Sequence, residues 1–61
     1  MRTWLKELRK SKNLTQEQLS EKLEISRAFL TQLELNKRNP SVQTAMKIAK
    51  VLEFNWTRFY E

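Results

Sequence analysis

Apolar residues recur along this chain at helical spacing, and the pattern predicts five helices and no sheet. Across residues 15–34, TQEQLSEKLEISRAFLTQLE, apolar positions fall at Leu19, Leu23, Ile25, Leu30 and Leu33. That spacing describes two short amphipathic helices joined at Leu23-Glu24-Ile25-Ser26, crossing steeply over one small shared core. Ahead of them a first helix is expected over residues 2–12, with Trp4, Leu5 and Leu8 as its buried stripe. Arg2, Lys6, Lys10 and Lys12 lie around the rest of that helix, and Lys6, Lys10 and Lys12 read as a solvated face. A fourth helix is expected over residues 41–52, its apolar side made by Val42, Ala45, Met46, Ile48, Ala49 and Leu52. A short aromatic turn over residues 55–60 follows, and Trp56, Phe59 and Tyr60 are placed to close the core against Trp4.

Helix starts are marked more sharply than helix ends. Thr15 and Gln18 have capping-box spacing, with Leu14 and Leu19 as the hydrophobic staple. Ser26 is a good N-cap, stapled by Ile25 and Leu30. Asn55 repeats the arrangement with Phe54 and Phe59. Glycine is absent, and Pro40 ends whatever precedes it by pushing residue 39 out of the helical region. Asn39 and Ser41 are both candidate caps for the fourth helix.

Sixty-one residues make a single domain, residues 1–61, near the lower size limit for unaided folding. With no cysteine and no histidine, thiolate chemistry, ordinary zinc sites and histidine-based acid–base catalysis fall away. A glycine-rich phosphate loop is missing too, so the chain does not read as an enzyme and no cofactor or metal is expected. Twelve Lys and Arg against seven Asp and Glu give a formal charge of +5, which favours polyanions without identifying one. No apolar run approaches the roughly 20 residues that span a bilayer, and no signal-peptide pattern appears. A cytoplasmic protein that leaves membranes alone is expected.

Chemistry concentrates on the third helix. At about 100° per residue, Arg27, Ala28, Thr31 and Gln32 share one arc, while Phe29, Leu30 and Leu33 fall opposite. Alone, such an arc reads as an ordinary solvated face. On a rigid helix of a basic protein it also meets the needs of major-groove reading. Arginine forks onto guanine, glutamine onto adenine, and Ala28 and the Thr31 methyl suit a thymine methyl.

The whole pattern resembles the helix-turn-helix domain of phage repressors and Cro proteins, the Xre type. The residues that carry the resemblance are Leu5-Lys6-Glu7-Leu8-Arg9, Asn13-Leu14-Thr15-Gln16-Glu17-Gln18-Leu19, Ile25-Ser26-Arg27, Gln32-Leu33-Glu34, Asn36-Lys37-Arg38-Asn39-Pro40-Ser41 and Lys47-Ile48-Ala49-Lys50-Val51-Leu52. No single stretch is diagnostic; their order and spacing together are. The resemblance implies an all-α, lambda-repressor-like bundle of five short helices, with helices two and three forming the helix-turn-helix. It also implies sequence-specific binding of double-stranded DNA by a small transcriptional regulator, a repressor, acting as a homodimer on a pseudo-palindromic operator. Arg27, Ala28, Thr31 and Gln32 would then face base edges. Gln16, Ser26, Asn36, Lys37 and Arg38 would meet phosphates, and Arg9 and Glu34 would form an internal salt bridge. No small-molecule site is evident.

Three departures from the family pattern bear on this expectation. Ser20 stands where alanine is usual, so its hydroxyl needs a partner. Glu24 stands where a glycine usually ends the second helix with positive φ, a conformation costing a non-glycine residue roughly 1 kcal/mol. Leu35-Asn36 stands where Asn-Gly is common; asparagine tolerates the left-handed region, whereas Leu35 is left exposed. The competing reading is a protein-interaction module on the same fold, antitoxin-like or anti-repressor, which the exposed Leu35 and the aromatic tail would suit.

Overall fold

In a computed structural model describing residues 2–61, the chain forms four α-helices and a terminal 3-10 helix. They are α1 (Thr3–Ser11), α2 (Gln16–Leu23), α3 (Arg27–Glu34), α4 (Val42–Leu52) and the 3-10 helix Trp56–Tyr60. There is no strand among the described residues. The all-α bundle matches the expectation, with the fifth helix realised as a 3-10 turn.

The core is one leucine-rich cluster. Leu5 of α1, Leu19 and Leu23 of α2, Leu30 and Leu33 of α3, and Ile48 and Leu52 of α4 are fully buried. Each fully buried side chain of this kind contributes roughly 1.5–3 kcal/mol through lost apolar hydration. Two expected members of the α4 stripe do not join it: Val42 and Met46 are each 50% exposed. Trp4 meets Phe54 and Phe59 edge-on, each at 5.2 Å between ring centroids. Trp56 packs against the core as well and pairs with Tyr60 at 6.0 Å, while Tyr60 stays half exposed.

The expected caps are present. Thr15 Oγ1 accepts from the Gln18 amide, while Gln18 Oε1 accepts from the Thr15 amide. Ser26 caps α3 by accepting from Phe29 N–H. Ser41 caps α4 by accepting from Thr44 N–H, which decides between the two candidates.

Every α-helix stops in the same way. Asn13, Glu24, Asn36 and Glu53 hold φ between 57° and 63°, the left-handed region that usually takes glycine. After each, the next N–H reaches back five residues: Leu14 to Arg9 O, Ile25 to Ser20 O, Lys37 to Gln32 O and Phe54 to Ala49 O. The stop at Glu24 has a rationale in the sequence; the one at Glu53 has none. Leu14, Ile25 and Phe54 each follow such a stop and also precede the next N-cap, so one apolar side chain seals two helix ends. This arrangement keeps the connection between α2 and α3 to three residues.

Candidate nucleic-acid interface

The start of α3 presents Arg27 and Ala28 to solvent, while Thr31 and Gln32 are half-buried one turn further on. Phe29 lies at the rim of the core, with the Arg38 guanidinium 5.4 Å above its ring. The four residues expected to share an arc therefore share one, graded from open to half-covered along the helix.

A buried polar network fixes α3 against its neighbours. Arg9 Nε donates to Glu34 Oε2 at 2.7 Å, and Arg9 Nη1 donates to Leu14 O at 2.8 Å. Glu34 Oε1 also accepts from Gln16 Nε2 at 3.1 Å. The Thr31 hydroxyl stands 3.1 Å from Gln16 Oε1 and 3.0 Å from Arg27 O, with one proton for both acceptors. The chain of contacts thus runs from α1 through the start of α2 to the exposed turn of α3. No buried side-chain nitrogen or oxygen among the described residues lacks a partner. Ser20 Oγ likewise finds a partner, donating to Glu17 O at 2.9 Å.

This network changes the reading of Gln16. Its side-chain amide is engaged inward, between α2 and α3, and does not extend freely from the helix start. What stays available at this position is the backbone N–H groups of Gln16 and Glu17, because Thr15 already takes those of Gln18 and Leu19. Ser26 is similar: its oxygen is committed as a cap, leaving its proton.

Beyond α3, Asn36, Lys37 and Arg38 are all exposed on the left-handed turn that ends the helix. The groove between α1, α2 and α3, about 470 Å³, is lined by Arg9, Lys10, Asn13, Leu14, Gln16 and Arg27, among others. Lys10 is exposed, as expected of a solvated face, and also lines this groove with Arg27 and the start of α2. Lys12 is exposed as well and donates to Glu53 Oε2 at 2.6 Å. That contact holds the Glu53 carboxyl below the usual carboxylate range.

Arg2 is the largest correction. Expected within the first helix and outside its buried stripe, it is 6% exposed and precedes α1. Its guanidinium donates to Leu33 O, Arg38 O and Asn39 Oδ1 at 2.7, 2.9 and 2.6 Å. Burial pushes it below the usual arginine range, but an arginine so bonded stays charged. Nothing in the local pattern around residue 2 announces partners more than thirty residues away.

A second groove, about 660 Å³, runs along α4 and the 3-10 helix between Met46, Ala49, Lys50, Phe54 and Trp56. Among the described residues, no group of acidic, histidine or cysteine side chains is placed to hold a metal, and no helix is long and apolar enough to cross a membrane.

Comparison with known proteins gives a consistent picture. A family model described as helix-turn-helix matches residues 5–59. An uncharacterized HTH-type transcriptional regulator of Bacillus subtilis, YqaF, is 44% identical over 61 residues, covering all of this chain and 80% of that protein. An HTH-type transcriptional regulator of Methanocaldococcus jannaschii is 46% identical over 50 residues, 82% of this chain and 76% of its own. The immunity repressor protein of Bacillus phage phi105 is 42% identical over 48 residues, 79% of this chain but 33% of the repressor.

Proposed function

Since the chain belongs to the Xre-type helix-turn-helix family, we propose that it is a cytoplasmic, sequence-specific DNA-binding repressor that reads the major groove with α3. The observation that carries this reading is the first turn of α3, where Arg27 and Ala28 stand open beside an otherwise fully satisfied polar network. A helix held that rigidly can present the same side chains to successive base edges without reordering them.

Roles divide along the surface. Arg27, Ala28, Thr31 and Gln32 read bases. The α2 N-terminus at Gln16, the Ser26 hydroxyl, Asn36, Lys37 and Arg38 hold phosphates, with Lys10 added to that set by its place in the groove. Thr31 enters the groove through its methyl, its hydroxyl being occupied by Gln16 or Arg27 O. Two copies bind one pseudo-palindromic operator.

Selection of bound duplexes from a random library, followed by affinities at low and physiological salt, tests the reading. An enriched palindromic motif bound far above mixed-sequence DNA is expected. Weak binding that disappears with salt and enriches nothing would instead favour the protein-interaction reading, which the exposed Leu35 and the apolar groove along α4 support.

A further inference from the structure

We infer that the two ends of the chain act as a clasp on the loop after α3, and that Arg2 is a positioning residue for the phosphate contacts of Lys37 and Arg38. The inference rests on the DNA-binding reading above.

Three observations converge on the loop. First, the Arg2 fork reaches two backbone carbonyls and one side chain, at Leu33, Arg38 and Asn39. Those three points bracket the exposed residues 35–37. Second, the Arg2 backbone N–H donates to Glu34 O at 2.8 Å, so the same residue satisfies two carbonyls of the last turn of α3. A cation there also suits the negative end of the helix. Third, Tyr60 OH donates to Pro40 O at 2.9 Å, holding the far end of the loop from the other terminus. Arg2 also meets the 3-10 helix that carries Tyr60, its guanidinium lying 5.4 Å from the centre of the Phe59 ring.

The loop's own contacts close its first half, where Leu35, Asn36 and Lys37 N–H donate to Thr31 O, Leu33 O and Gln32 O, and set Arg38 against the Phe29 ring; the clasp holds the backbone beyond them. Residues 35–39 are exposed, and Asn36 sits in the left-handed region. Lysine and arginine on a wandering loop lose more freedom on meeting a phosphate than the same side chains on a fixed one. The clasp removes that loss before DNA arrives. It needs arginine in particular, because a lysine keeps the charge but lacks a planar fork that reaches three acceptors.

The test is a pair of variants, Arg2→Lys and Tyr60→Phe, neither of which alters net charge at neutral pH. Amide hydrogen exchange is read at residues 35–39 in the free protein, and affinity for a mixed-sequence duplex is read as a function of salt. Both variants are expected to speed exchange in the loop more than in α2 or α4. Both should lower affinity several-fold and flatten the salt slope by about 1 for each phosphate that Lys37 or Arg38 no longer holds. Combining each with Lys37→Ala should cost less than the sum of the single changes, because a loosened loop already wastes that lysine. Additive effects, or wild-type exchange and affinity with Arg2→Lys, would overturn the inference. If the unaltered chain binds no duplex, the functional reading itself falls, and the positioning role with it. The exchange measurement then still reports whether the clasp orders the loop.

Discussion

Single residues carry two opposite kinds of strain in this molecule. Glu24 holds φ 57° in a turn that usually takes glycine, so a glycine there removes a steric cost of roughly 1 kcal/mol. Glu24→Gly should therefore raise the melting temperature by about 4–8 °C, the shift that such an energy produces in a domain of this size. A melting temperature that stays put or falls would show the left-handed turn to be unstrained. Arg9 and Glu34 are the reverse case, a buried ion pair with side chains 8% and 3% exposed. Glu34→Ala strands the Arg9 guanidinium and also deprives Gln16 of an acceptor. Breaking such a pair from one side costs roughly 3–5 kcal/mol, a large part of what a small domain has. Urea titration should show a midpoint far below wild type, and Arg9→Met with Glu34→Leu should recover part of the loss by removing both charges together. On the exposed face the proposed division of roles makes its own prediction. Arg27→Ala should cost about 1–3 kcal/mol on the selected duplex and relax preference at one base pair, whereas Lys37→Ala should weaken selected and mixed duplexes alike. Equal effects of both changes on both duplexes would dissolve the distinction between readers and holders.

At the scale of elements, the starts of the helices are plain in the sequence and the stops are not. A cap acts over three residues, so Thr15 with Gln18, and Ser26, and Asn55 can be read as local chemistry. Thr15→Ala removes one half of the capping box and should cost about 1 kcal/mol by thermal or chemical melting. No loss would mean that Gln16, held by Glu34 and Thr31, fixes the start of α2 without the cap. The stops use glutamate and asparagine where glycine is the usual sign, and only the family resemblance points to Glu24 and Asn36. The interface splits the same way. The arc on α3 follows from helical periodicity, and the core partners of α1 to α4 follow from their stripes. The inward turn of Gln16, the groove position of Lys10 and the burial of Arg2 depend on contacts between elements far apart in sequence. Val42 and Met46 satisfy the periodicity of α4 but are half exposed. Pattern reports which face is apolar; the size of the neighbouring helices decides how much of it is buried.

For the whole molecule, size bears on how two copies would share the proposed operator. The chain measures 25 × 21 × 21 Å. Recognition helices entering successive major grooves on one side of DNA stand about 34 Å apart, one helical turn. Bodies this small at that spacing touch along an edge, well short of the roughly 1,200–2,000 Å² that a stable protein interface buries. Each copy also carries a net +5, so approach in free solution is opposed at low salt. DNA reverses that term, since phosphates between the copies neutralise the charges that kept them apart. The chain should thus sediment as a monomer at micromolar concentration and bind the selected duplex as two copies, with the second copy bound more tightly than the first. Lengthening the spacer by half a turn places the two half-sites on opposite sides of the duplex and should abolish that cooperativity while leaving single-site affinity intact. A tight dimer without DNA would refute the edge-contact argument and direct attention to the apolar groove along α4. A complex of one copy per duplex would remove the two-fold operator altogether.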